Sequence, residues 1–310
     1  MLCFKGVSFH YPGAREPALR RVNLTLAPGE LVVVMGPNGS GKSTLVRLGN
    51  GLLLPNEGEV LVEGLSTQTA EHLPLIRCLV GMVFQDPDNQ LVAATVEEDV
   101  AFGPENLGLP PVEIEERVER AIATLGISEL RFRPPHRLSG GQKQKVALAG
   151  ILAMEPRYIL LDEATAMLDP RSRTEALHLL RFLCREKGLG ILLVTHLAEE
   201  AIAADRVAII CEGRLVREGT PREIFSRPEE LAAYGLEPPM LSLLTGRLSR
   251  RGLPLEQGVW TPEELAQALW DLAGGQNPDA GETPSRRRGR NPGRKAKSLP
   301  AEAGDSWKSF

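Results

Sequence analysis

The residues of this 310-residue chain whose types and spacing could do chemistry point to phosphate. Gly36 to Ser43 reads GPNGSGKS, a full match to GxxxxGK[ST]. In such a loop Gly36, Gly39 and Gly41 let backbone amides turn inward on phosphate oxygens, with Pro37, Asn38 and Ser40 completing the turn. Lys42 can reach the β and γ oxygens and Ser43 can coordinate magnesium, while Thr44 opens a helix whose N-terminus favours an anion. Tyr158 to Glu163, YILLDE, ends an apolar run in two carboxylates. Asp162 is suited to hold magnesium through water, and Glu163 to polarise an attacking water. Leu138 to Gln142 reads LSGGQ. Here Ser139 caps a helix, and Gly140 and Gly141 leave its first amides open, a second anion-binding end in the same chain.

These groups need elements that bring them together. Leu31 to Met35, Tyr158 to Leu161 and Ile191 to Val194 are strand-sized, β-branched or leucine-rich, and free of alternation, as in parallel strands buried on both faces. They deliver Gly36, Asp162 with Glu163, and His196; a fourth run, Leu79 to Phe84, delivers Gln85. Ligands of open α/β sheets bind beyond the carboxyl ends of the strands, so one shared site is expected. Between Gln85 and Tyr158 the pattern is helical. Thr95 with Glu98 reads as a capping box, and Ile114, Val118, Ala121, Ile122 and Leu125 mark one helix face, which predicts a helical subdomain inserted over about residues 86–157. Short helices are expected over Pro221 to Phe225 and Pro228 to Tyr234, then an amphipathic turn from Thr261 and Pro262 to Leu272. A helical extension is thus expected over 227–273. From Gly274 the composition turns to Gly, Pro, Ser and Arg, which predicts a disordered basic tail over 274–310, either inert or drawn to anionic lipid.

Composition narrows the class. With 42% hydrophobic and 25% charged residues the chain can bury a full core. A formal net charge of -4 gives no global reason to expect nucleic acid. Cys3, Cys78, Cys184 and Cys211 lack CxxC spacing, which argues against a disulfide framework and a zinc site and fits a reducing cytosol. The N-terminal segment is too polar for a signal peptide, and no apolar run approaches the roughly 20 residues that cross a bilayer. A membrane role would come through a partner.

LSGGQ followed by KQKVALAGILAM, together with the loop and the paired carboxylates, resembles the ABC ATPase family over roughly residues 1–226. The resemblance implies an α/β P-loop NTPase of ABC type, with a parallel core sheet, an N-terminal antiparallel β part and the inserted helical subdomain. It implies that Tyr11 stacks on adenine, that Gln85 touches magnesium and senses a transmembrane partner, and that His196 is the switch on the γ-phosphate. Met167, Leu168 and Asp169 match the segment that communicates across a dimer. ATP would lie between the P-loop of one subunit and the LSGGQ of another. The stretches YPG, FQDPDNQL, TVEEDVAFGPENLGLP, DEATAMLDP and ADRV are similar to the energy-coupling factor ATPases, which include cobalt and nickel uptake subunits. Asp86, Ala166 and Lys145 depart from that pattern without removing a catalytic group.

The implied protein is the ATP-hydrolysing subunit of an importer for cobalt, nickel or a vitamin, peripheral on the cytoplasmic face of the membrane. Its implied partners are a second ATPase subunit, identical or homologous, a transmembrane coupling subunit and a substrate-binding membrane subunit, with no nucleic acid. Three rivals fit less well. A DNA-repair ATPase would need a long heptad-bearing insertion, yet only 52 residues separate Gln85 from Leu138. A translation factor would carry two motif sets in one chain. A non-hydrolysing module would not be expected to keep Lys42, Asp162, Glu163 and His196.

Overall fold

The computed structural model describes residues 1–166, 168–255 and 261–273; Met167 and the basic segment 274–310 lie outside the described residues. Two antiparallel strands, β1 (Leu2–Phe9) and β2 (Leu19–Leu26), open the chain. The apolar run Leu31–Met35 forms β3 and passes through the glycine-rich loop into α1 (Lys42–Gly49). β4 (Glu57–Val62) and β5 (Leu65–Ser66) return to the first pair, giving an antiparallel sheet in the order β2-β1-β4-β5. α2 (Leu73–Leu79) then runs straight into β6 (Val80–Val83). The strand is therefore shorter than the apolar run Leu79 to Phe84 predicts: Leu79 closes the last turn of the helix, and no polar residue marks the junction.

The helical insertion holds α3 (Val96–Asn106), α4 (Pro111–Thr124) and α5 (Gly140–Ala153). Thr95 and Glu98 form the expected reciprocal cap on α3, satisfying amides that the first helical turn would otherwise leave open. Val118, Ala121 and Ile122 form the buried stripe of α4, and Leu125 just past its end is also buried.

The chain then alternates between strand and helix: β7 (Tyr158–Asp162), α6 (Pro170–Lys187), β8 (Gly190–Thr195), α7 (Ala198–Ile202), β9 (Arg206–Cys211), β10 (Arg214–Gly219). It continues through α8 (Pro221–Phe225), α9 (Pro228–Ala233) and α10 (Met240–Arg250) to α11 (Pro262–Leu272). Met1–Leu265 form one compact unit, and the described residues beyond it continue α11. The four cysteines are free.

Among the described residues the core sheet has six strands in the order β10-β9-β3-β8-β7-β6, all parallel except the β9–β10 hairpin. Burial on both faces explains the lack of alternation. Leu31, Val33 and Met35 of β3 face one core with Ile159, Leu161, Ile191 and Leu193, while Val32 and Val34 face the other with Tyr158, Leu160, Leu192 and Val194. The helical insertion covers the first face; the antiparallel sheet and α1 cover the second. Each such side chain contributes about 1.5–3 kcal/mol on burial, which fixes strand register firmly. Met35 pairs with Thr195 and Asp162 with Val194, so β3, β7 and β8 end nearly level. The residues that follow them, Gly36, Glu163 and His196, leave the sheet side by side.

Candidate active site

The glycine-rich loop is held by close approach. A Cβ at Gly36 would stand 2.1 Å from the Ile210 carbonyl oxygen, and one at Gly41, where φ is +105°, 2.3 Å from that of Ala18. Only glycine fits either position. No side chain caps α1, so among the described residues its first-turn amides have no side-chain acceptor. Lys42 is buried, and its Nζ donates to the carbonyls of Gly36 at 2.8 Å and Pro37 at 3.0 Å. Burial lowers the pKa of this ammonium, against the pull of Glu163 and Asp162. A phosphate anion would complete this set of cationic and amide donors.

The two carboxylates behave differently. Asp162, the last residue of β7, is buried and accepts the Ser43 hydroxyl at 2.8 Å. Burial pushes its carboxyl above the ordinary range; Ser43, Arg47 and Lys42 oppose the rise, and neighbouring Glu163 adds to it. Ser43, Asp162 and Gln85 offer oxygen donors, the set a hard divalent cation prefers, and a cation beside Asp162 would relieve the cost of burying its charge. Glu163 has a left-handed backbone at φ +49°, uncommon for a residue with a long side chain. Its Oε2 accepts Gln85 Nε2 at 3.0 Å and lies 3.9 Å from Nδ1 of His196, whose side chain is 48% exposed. Three ends of three strands thus meet on one carboxylate.

Tyr11 stands beside the loop. Its hydroxyl lies 3.2 Å from Thr44 Oγ1, and its ring meets Phe9 edge-on at 4.8 Å. Gln85, Glu163, His196, Asp162, Tyr11 and the loop from Gly36 to Thr44 are therefore brought together.

The LSGGQ segment is apart. Ser139 accepts the Gln142 amide at 3.3 Å, and Gln142 Oε1 accepts the Ser139 amide at 3.0 Å, a reciprocal cap at the start of α5. Leu138 is buried, Gly141 has only Leu168 near its missing Cβ, and Gly140 faces open space. Asp169 caps α6, accepting the amides of Arg171 and Ser172 and the Ser172 hydroxyl. The Ser172 bonds hold its carboxyl below the usual range. Among the described residues no hydrogen bond or ion pair joins Leu138–Gln142 or Asp169 to the loop at 36–44.

Some features of the site have no counterpart in the motifs. Asp86 accepts the Asp88 amide and the Asn89 side chain, and Asp88 pairs with Lys143, tying the Gln85 loop to the first turn of α5. Buried Asp99 accepts the amides of Val92 at 2.7 Å and Ala93 at 2.9 Å, fixing the far end of that loop. A cleft of about 450 Å³ is lined by Pro37, Asn38 and His196 on one side and by Gly235 to Pro238 on the other. The DPDN string and the lysine after LSGGQ are visible in the sequence, but nothing there pairs them.

Comparison with known proteins shows the family and the fold. The family described as ABC transporter matches residues 19–166. An energy-coupling factor transporter ATP-binding protein, EcfA1 of Symbiobacterium thermophilum, is 50% identical over 276 residues, 86% of this chain and 96% of the relative. EcfA1 of Caldanaerobacter subterraneus is 47% identical over 268 residues, 86% of this chain and 97% of the relative. Among solved structures, cbiO1 of Clostridium perfringens, described as part of the ABC transporter complex cbiONQ, superposes with a TM-score of 0.70 at 36% identity. The match covers 81% of this chain and 97% of that one. The bacterial cassette MJ0796, in a post-hydrolysis state with ADP and Pi, matches with a TM-score of 0.65 at 32% identity over 71% of this chain and 98% of its own.

Proposed function

Because this chain belongs to the energy-coupling factor ATP-binding proteins of the ABC transporter family, we propose that it hydrolyses ATP between two ATPase subunits to drive uptake of a cobalt or nickel ion or a vitamin. The observation that carries the reading is the convergence on Glu163: Gln85 and His196 approach the same carboxylate oxygen, beside a loop whose lysine and open amides await phosphate.

In this reading Tyr11 packs against adenine, and the amides from Gly36 to Thr44 bind the phosphates with Lys42 at their outer oxygens. Glu163 polarises the attacking water from an orientation maintained by Gln85, and His196 stabilises charge developing on the γ-phosphate. Ser43, Asp162 and Gln85 would hold magnesium, which when bound neutralises phosphate charge. The second set of anion donors, at Ser139, Gly140 and Gly141, serves the ATP of the partner subunit. Support comes from its separation from the loop of its own chain and from the open space at Gly140. Asp169 reports across that interface. Residues 1–226 form the nucleotide-binding domain, with 86–157 as its helical subdomain and 227–273 as an appended extension.

The membrane partners are a transmembrane coupling subunit and a substrate-binding subunit, and this chain sits on the cytoplasmic face beneath them. No helix among the described residues is long and apolar enough to cross a membrane. Val92 and Phe102 are 67% and 52% exposed on either side of the Asp99 anchor and offer an apolar docking surface. Phosphate release by the purified chain tests the hydrolytic reading, which fails if none is detected with magnesium and ATP. Uptake of labelled cobalt, nickel and vitamins into vesicles carrying the whole assembly tests the cargo; uptake of none of these removes that assignment.

A further inference from the structure

Glu200 is fully buried, and among the described residues neither of its carboxylate oxygens has a hydrogen-bond partner. The charge facing it is Arg173, whose Nε lies 3.4 Å from Oε1. An ionised group in such a place is costly unless paired, so the two side chains hold each other. The guanidinium has a second engagement: its terminal nitrogen donates to the Leu168 carbonyl at 3.0 Å. Leu168 is itself buried and packs on the start of α5, since a Cβ at Gly141 would stand 3.2 Å from its Cδ2. At the other end Glu200 lies on α7, four residues beyond His196. A continuous set of contacts therefore runs from Gly141 through Leu168, Arg173 and Glu200 to the element that follows the histidine.

From this juxtaposition we infer that Arg173 and Glu200 are positioning residues for hydrolysis, a strut between a half-buried arginine and a buried glutamate that sets His196 relative to the 168–169 segment. The inference rests on the proposed role of His196 at the γ-phosphate. Neither residue touches the phosphate loop through any hydrogen bond or ion pair found among the described residues, so the strut acts on turnover and leaves nucleotide affinity alone. Arginine suits the task because its fork can meet a carboxylate and a carbonyl at once, which lysine cannot reproduce.

The test separates positioning from mere support of the fold. Replacing both charges together, Arg173→Met with Glu200→Leu, removes the ion pair without orphaning either partner, and such replacements commonly preserve stability. We expect the double variant to melt within about 4 °C of the parent. Its ATP affinity and KM should be unchanged while kcat falls at least about tenfold. With the imidazoles labelled for NMR, the His196 signal should move while those of the other four of the chain's five histidines stay in place. Glu200→Gln, nearly isosteric, should show the same two changes in milder form and decides the matter if the double variant does not fold. Recovery of full kcat along with stability, or an unmoved His196 signal, overturns the strut. The premise is judged separately by His196→Ala: retained turnover there removes the role of His196, whereas lost turnover beside unaltered strut variants defeats the strut alone.

Discussion

At the scale of single residues, the site divides into groups that bind and groups that act. Lys42→Ala should abolish ATP binding and turnover together, because the buried ammonium proposed to meet the phosphates is lost from a loop with no substitute cation. Equilibrium binding of a fluorescent ATP analogue checks this, and near-normal affinity would defeat the phosphate assignment. Glu163→Gln keeps the loop and should leave binding intact while cutting turnover by on the order of a hundredfold or more. The same variant should elute as an ATP-dependent dimer from a sizing column. Turnover like the parent's would mean that another group activates the water. Gly41→Ala bears on geometry rather than charge. The left-handed backbone alone costs about 1–2 kcal/mol with a Cβ present, and the Ala18 carbonyl leaves the new methyl no room. A lowered melting temperature with lost ATP binding is expected.

At the scale of elements, the insertion from Gln85 to α5 is where the proposed function would transmit nucleotide chemistry outward. Asp99→Ala releases the amides of Val92 and Ala93, which should cost about 1.5–3 kcal/mol in urea denaturation and slacken the loop that begins at Gln85. Uptake should drop more than basal phosphate release. Phe102→Asp, on the exposed side of α3, should spare both stability and basal phosphate release yet free the protein from membranes; a variant that remained bound and transport-competent would place docking elsewhere. Much of this architecture is legible in the sequence because its signals are local. A run buried on both faces announces itself by lack of alternation, and a cap by two residues three apart, as at Thr95 and Glu98. The glycine-rich loop is legible because steric demand leaves one residue type possible. What stays hidden depends on distance along the chain or on backbone angle. The pairing of Asp88 with Lys143, or of Arg173 with Glu200, is decided by how helices pack, and the boundary between α2 and β6 lies inside an unbroken apolar run. The left-handed turn at Glu163 carries no compositional sign, since nothing about glutamate favours it.

At the scale of the whole molecule, the proposed reading gives one chain two half-sites, and among the described residues no hydrogen bond or ion pair joins them. Mixing Lys42→Ala with Ser139→Arg, each inactive alone, should therefore restore part of the turnover, because one pairing in the mixed dimer joins an intact loop to an intact LSGGQ. A mixture as inactive as its components would mean that two copies of this chain do not build the composite site between them. The backbone of Glu163 has a consequence for the endurance of the whole protein. Its conformation is one that glycine adopts freely, and its charge adds to the burial that raises the pKa of Asp162. Glu163→Gly relieves both, against the loss of the attraction to Lys42 and of the contacts with Gln85 and His196, whose exposed side chains can turn to water instead. The inactive variant should outlast the parent in a thermal challenge by about 1 kcal/mol. Selection for hardiness alone would drive this position away from glutamate, and only the demand for work would keep it there.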